Sequence, residues 1–168
     1  MKKVTVADID PQAPPDDAIP DGAMANSVGG ASVLTDSLGT TGLSINHYTL
    51  APDESFTVSP HRHSTQEELF YVLSGTVRFE TDAGDTTVES GKVVRIPPGT
   101  FQLGTNESDQ QATALALGAP RDYEDDTEWL VECDDCGEQT VHIFGDADEP
   151  GEYVYTCTEC DGETFRVV

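Results

Sequence analysis

Between Gly30 and Gly118 the chain repeats short apolar or β-branched runs broken by turn residues, and no stretch offers a helical period. The runs fall at 43–50, 55–59, 68–73, 76–81, 86–89, 92–96 and 113–117. Between them lie Ala51-Pro52-Asp53, Ser74-Gly75, Asp82-Ala83-Gly84-Asp85, Ser90-Gly91 and Pro97-Pro98-Gly99. Glycine and proline end strands and set tight reversals. Strands this short and this evenly spaced predict an all-β sandwich or barrel.

Inside this pattern sits His61-Arg62-His63, with Glu68 five residues further on. Histidines at i and i+2 lie on one face of a strand, because side chains alternate with period two. A carboxylate just inside the next strand can close on the same point. Two neutral imidazoles and one carboxylate presented from one side form the donor set of open transition-metal sites such as non-haem iron. Glu68 is preferred to Glu67, since adjacent strand residues face opposite sides; Glu67 is expected to be a solvated surface charge. His47, in the run 43–50, is expected to be packed or exposed rather than a ligand.

The spacing His61-x-His63-x4-Glu68-x6-Gly75 resembles the first motif of the cupin superfamily. Gly91-x5-Pro97-x-Gly99 resembles the opening of the second, and Asn106 stands at that motif's closing asparagine position. The resemblance spans roughly residues 40–117. It implies a cupin-type double-stranded β-helix (jelly-roll) barrel holding a metal inside with side chains from both motifs. It also implies a histidine three residues after Gly99, where this chain has Gln102. A glutamine carbonyl is a neutral oxygen donor, harder and weaker than imidazole. The implied ligands are His61, His63, Glu68 and Gln102, or the first three with waters completing the shell. Either set favours octahedral Fe(II), Mn(II) or Ni(II) over closed tetrahedral zinc. The alternative is a barrel that has lost its metal and keeps these residues as structure. Arg78 and Tyr71 flank the motif. They read either as contacts to a substrate anion or as an exterior arginine and a core aromatic. Asn106-Glu107-Ser108 matches the glycosylation pattern and is read as a chance occurrence.

Cys133-x2-Cys136-x20-Cys157-x2-Cys160 is the strongest single spacing in the chain. Each C-x-x-C turn aims two thiolates at one point, and two such turns close a tetrahedral four-thiolate site. Residues 139–144, 153–156 and 164–168 read as strands around it. Gly137 and Gly162 follow the second cysteine of each pair, where the chain must turn. The segment resembles a zinc ribbon, with a dithiol redox pair or a rubredoxin-like iron site as alternatives. A module this small has little core, so a structural zinc would hold it together. His142 lies mid-strand and is expected at the surface. Tyr123, Trp129, Phe144 and Tyr153 are candidates to pack the module on the barrel.

Composition adds limits. The chain has 32 acidic and 8 basic residues, a net charge of −24. Residues 121–168 alone hold 16 acids and 2 bases, a net of −14. Spread along strand patterns, this excess resembles that of proteins from salt-loving microbes, haloarchaea in particular, where high salt screens self-repulsion. It excludes nucleic acid as an expected partner, because phosphate binding needs clustered Lys and Arg. No apolar run approaches membrane-spanning length, and the N-terminus lacks a signal-peptide stretch, so a cytoplasmic protein is expected. Paired cysteines acting as metal ligands fit a reducing compartment.

The expected organisation is an N-terminal arm over 1–29, a cupin barrel over 30–120, an acidic linker over 121–130 and a zinc ribbon over 131–168. Val4-Thr5-Val6 reads as a short strand in the arm. The resemblance implies a divalent-metal enzyme acting on a small molecule inside the barrel, with oxygenase-, isomerase- or lyase-like chemistry. The other reading is a non-catalytic sensor or adaptor signalling its ligand or metal state through the ribbon. Docking, a protein partner or homodimer contacts are the roles open to the ribbon.

Overall fold

The structure is a computed structural model and describes residues 1–12, 28–121, 127–147 and 153–167. Most of the arm, and residues 122–126 of the expected linker with Tyr123, lie outside the described residues. After a single 3₁₀ turn at Val6–Asp8 come β1 (Gly30–Val33), α1 (Leu34–Leu38), β2 (Ser44–Leu50), β3 (His61–His63), β4 (Glu67–Ser74) and β5 (Thr76–Thr81). Then follow β6 (Thr86–Glu89), β7 (Val93–Ile96), β8 (Gln102–Thr105) and β9 (Ala112–Ala119). The chain closes with β10 (Thr127–Cys133), β11 (Glu138–Asp146), β12 (Tyr153–Cys157) and β13 (Glu163–Val167).

Two sheets form the barrel. One has the order β1-β2-β9-β4-β7, the other β13-β12-β11-β10-β3-β8-β5-β6. Period-two burial explains how they face each other. In β9, Ala112, Ala114 and Ala116 point inward and are buried, alternating with half-buried Thr113, Leu115 and Leu117. Opposite them, Val77 and Phe79 of β5 are fully buried. The core gathers Leu50, Phe56, Phe70, Val72, Val77, Phe79, Val88 and Ile96 around these alanines. Phe70 and Phe79 lie 5.0 Å apart and Phe56 and Phe70 4.9 Å apart, offset contacts that aromatic quadrupoles favour. Small β9 side chains leave room for the rings: inner Gly104 on β8 would put a Cβ 2.5 Å from Phe56.

Along the inner face of β4, apolar Val72 and Phe70 give way to Glu68. Along β8, Gly104 gives way to Gln102, which pairs with Thr81 of β5 and His61 of β3. One end of the barrel is therefore plugged by apolar packing, and the other is lined with polar side chains.

Several expectations change. Residues 55–59 are not a strand; Ser55 makes single bridges to Val28 and Thr105, and Thr57 folds back on Ser59. Val4-Thr5-Val6 is not a strand either, its last residue opening the 3₁₀ turn. The larger correction concerns residues 121–130, expected to be linker: from Thr127 they are strand. β10 pairs antiparallel with β3, in the register Thr127↔His63, Glu128↔Arg62 and Trp129↔His61. The cysteine-bearing hairpins thus continue the barrel's own sheet. No helix among the described residues is long and apolar enough to cross a membrane.

Candidate metal centres

His61 and His63 share the inner face of β3 as the i, i+2 argument requires, and Glu68 comes to them from the facing sheet. His61 Nε2 lies 3.7 Å from Glu68 Oε2, and His63 Nε2 lies 3.8 Å from the same oxygen. The three ligand atoms all fall within 4.8 Å of one another, a cluster small enough for one ion to bridge. Gln102 completes it: its Nε2 lies 3.2 Å from His61 Nε2 and donates to Glu68 Oε2 at 3.1 Å. Its Oε1 is buried with no hydrogen-bond partner among the described residues. Rotating the amide would turn this oxygen, a hard neutral donor, toward the same point. Both partners accept, so the amide nitrogen faces them; a cation at that point would favour the oxygen instead.

The backs of both imidazoles are engaged. Thr57 Oγ1 donates to the Ser59 carbonyl at 3.0 Å, so its oxygen is left to accept from His61 Nδ1 at 3.3 Å. That leaves Nε2 turned toward Glu68, the nitrogen His61 would present to an ion. His63 Nδ1 makes a corresponding 3.2 Å contact with Thr127 Oγ1, the first residue of β10. Trp129, two residues along, stacks on His61 with ring centroids 4.9 Å apart at 30°. Spacing in the sequence gave no sign of Thr57 or Thr127 here, because each arrives from a distant segment; Trp129, expected to pack the cysteine module on the barrel, does so on His61 itself.

Burial alone would raise the Glu68 carboxyl, but interaction with His61, then His63, and the Gln102 hydrogen bond more than offset it, holding it below its ordinary value. Tyr48 of β2 packs edge-on against Phe56 at 4.9 Å. Burial, then the Glu68 charge, pushes its phenol up to about 12, so it stays neutral at the centre's edge. Tyr48 is a further site candidate, and its place between inner-facing Asn46 and Leu50 follows the period-two alternation of β2.

Other residues fall outside. Glu67 points outward to Arg95 at 2.6 Å, and His47 lies half-buried on β2 apart from the cluster. Arg78 is exterior, bonded to Glu107 at 2.7 Å and Asp85 at 2.8 Å. Tyr71 is neither a core aromatic nor near the centre; it is exposed on the outer face of β4. Asn106 is wholly buried, donating to the carbonyls of Leu50, Ala51 and Gln110, which seals it from glycosylation and makes it a loop tie.

The four cysteines meet at the far end of the second sheet. Cys133 and Cys160 sulfurs lie 3.7 Å apart, and those of Cys136 and Cys157 3.9 Å apart. Both exceed a disulfide bond by far. They match the edge of a thiolate tetrahedron, about 3.8 Å for metal–sulfur bonds of about 2.3 Å. The Thr140 hydroxyl bonds Cys157 at 3.2 Å and, against the cost of burial and with help from the Glu159 amide, pulls this thiol down to about 6. Gly137 turns the first knuckle at φ 69°, but in the second Asp161 takes the left-handed residue at φ 58°. Gly162 serves close approach instead: a Cβ there would lie 2.5 Å from Asp135 Oδ2. His142, expected at the surface, is fully buried, paired in register with Cys157 and bonded to Thr164 Oγ1 at 2.7 Å.

A two-sheet barrel with two histidines and a glutamate converging from facing walls is of cupin type, and residues 46–118 match the family described as a cupin domain. The barrel thus has the cupin fold, and one of its sheets carries a cysteine-bearing extension. Among solved structures it is similar to a sugar phosphate isomerase of the cupin superfamily from Silicibacter pomeroyi. That match is 20% identical, covers 95% of this chain and 94% of the other, and has a TM-score of 0.68. It is also similar to a protein described as a predicted oxalate decarboxylase from Thermotoga maritima. There the identity is 19%, with 70% of this chain and 98% of the other covered, at a TM-score of 0.58. At such identities the likeness speaks for the fold. No curated protein matches the chain.

Proposed function

We propose that the barrel binds one divalent transition metal through His61, His63, Glu68 and Gln102 and acts as an enzyme on a small oxygen-bearing molecule. The observation that carries this reading is the convergence of those four side chains, with His61 Nδ1 against Thr57 and its Nε2 turned to the cluster. Nitrogen and oxygen donors without thiolate favour Fe(II), Mn(II) or Ni(II). Such an ion, when bound, supplies Lewis-acid polarisation of a substrate oxygen or a place for redox chemistry. The chain's own residues do the rest. Glu68 stays anionic, Tyr48 stays a neutral phenol able to donate a hydrogen bond, and the Phe56–Phe70–Phe79 cluster closes the barrel floor to water.

Isomerase chemistry on a sugar phosphate, suggested by the full-length structural neighbour, finds no support in the charges. Among the described residues, Arg62, Arg78, Arg95 and Arg121 are each bonded to a carboxylate. By strand alternation Arg62, Arg78 and Arg95 point away from the barrel interior. A phosphate would enter a strongly acidic protein with none of these cations to meet it. The substrate class favoured is a small molecule that chelates through carbonyl, hydroxyl or a single carboxylate.

The hairpins over 131–168 are proposed to be a zinc ribbon with a structural ion, given the tetrahedral sulfur spacing. A sensor reading, in which the barrel's state passes to a partner through the hairpins, is favoured by one observation, the direct pairing of β10 with β3.

The test is metal analysis of protein purified in high salt. Wild type should carry two ions per chain and the His61→Ala/His63→Ala double variant one. A wild type with one ion, lost on Cys133→Ser, would remove the barrel metal and with it the enzyme reading. Oxygen uptake or turnover after Fe(II) reconstitution then separates enzyme from sensor.

A further inference from the structure

β3 is three residues long and carries both histidines. On one side it meets β8 through a single register pair, His61↔Gln102. On the other it meets β10 through three pairs, reinforced by Leu130 N–H donating to the Pro60 carbonyl at 2.9 Å and by an Arg62–Glu128 ion pair. Without β10, β3 would be an edge strand too short to hold its own register. The same strand delivers Thr127 to His63 Nδ1 and Trp129 to the His61 ring.

β10 itself is held from the cysteine end. It terminates in Cys133, its Val131 is fully buried, and Trp129 meets Tyr155 of β12 edge-on at 5.8 Å. β12 ends in Cys157, so the two strands that grip Trp129 each run into a cysteine of the cluster. At about 3.4 Å per residue, Thr127 and Cys133 lie about 20 Å apart along one extended strand.

Resting on the reading of a barrel metal, we propose that Thr127 and Trp129 are positioning residues of that centre, and that an ion in the cysteine cluster sets the barrel's metal affinity by holding β10 against β3. The two centres are then coupled through a strand rather than through space. Loss of the cysteine-bound ion frees β10, releases the hydrogen bond that orients His63 and uncovers His61.

Mn(II) is the probe, because oxygen and nitrogen donors hold it and a four-thiolate site does not compete for it. Titration followed by its electron paramagnetic resonance signal in zinc-loaded wild type should show one site per chain. Thr127→Val should weaken that site about tenfold, the scale found for residues that orient metal-bound histidines. Cys136→Ser/Cys160→Ser should weaken it by at least as much, though every barrel ligand is intact. Trp129, the chain's sole tryptophan, gives a second readout: chelating the cysteine-bound ion should red-shift its emission. Wild-type Mn(II) affinity retained within twofold in both variants, with Trp129 emission unmoved by chelation, would overturn the coupling. No Mn(II) site in wild type would overturn the barrel-metal reading itself and the coupling with it, a result told apart by the wild-type titration alone.

Discussion

Gln102 donates from its amide to Glu68 Oε2 at 3.1 Å, bridging the two sheets at the polar end of the barrel. The same amide nitrogen lies 3.2 Å from His61, so Gln102 holds together the two groups that would otherwise close directly on an ion. It occupies the place where the motif resemblance implies a histidine, and it is almost wholly buried. An exposed replacement would have been free to drift; this one is built into the centre.

Gln102→His should therefore strengthen the barrel site. An imidazole replaces a weak carbonyl donor at a position already aimed at His61 and Glu68, and borderline metals bind nitrogen more tightly. We expect a gain of about tenfold or more in Ni(II) affinity by competition titration, about 1.4 kcal/mol. Unchanged affinity would mean that Gln102 lies outside the coordination shell.

Gly104→Ala tests the packing beneath the site. A Cβ at Gly104 would lie 2.5 Å from Phe56 Cδ2 and 2.8 Å from Phe79 Cε1. Both rings are buried in the core and have nowhere to retreat, so the substitution should cost about 1–3 kcal/mol. Denaturant titration should read this as a lower midpoint with an unchanged slope.

Tyr48 supplies a pH signature with a definite sign. Its folded pKa, raised to about 12, exceeds the ordinary value of 10.0, so the native state keeps its proton where the unfolded chain has lost it. The resulting stability is fully present below pH 10 and is lost as pH rises toward 12. Tyr48→Phe keeps the ring against Phe56 but cannot titrate. Its stability should fall less steeply over that window, by up to about 3 kcal/mol relative to wild type. Urea midpoints measured from pH 9 upward check this.

A net charge of −24 makes salt a stabiliser. The range of repulsion shrinks from about 10 Å at 0.1 M salt to about 3 Å at 1 M. Raising KCl across that interval should add at least about 1 kcal/mol, or about 2–4 °C in melting temperature for a chain of this size. A flat profile by scanning calorimetry would show that the acids are already paired or spaced beyond reach.

How far the sequence could be read depended on whether a feature was local. The period-two runs at 76–81 and 86–89 became β5 and β6 without change, since each pair of strands carries its own turn and its own alternation. β8 stayed hidden because Gln102 and Gly104 break any apolar run; their reasons for being there are His61, Glu68 and the Phe56 ring, all from other segments. The burial of His142 is hidden in the sequence for the same cause. A lone histidine in an acidic strand looks solvated until β12 and Thr164 cover it.

What the sequence determined by itself was the all-β class, the grouping of His61, His63 and Glu68 and of the four cysteines, and the inward choice of Glu68 over Glu67. All three follow from alternation and turn chemistry within a few residues of chain. The tertiary structure alone decided that the supposed linker is strand β10, that Thr57 and Thr127 turn the histidines, and that Trp129 lies on His61. Those relations join residues far apart in the chain. Strand pairing is chosen by what each edge can bury and bond, which no single segment carries in its own pattern.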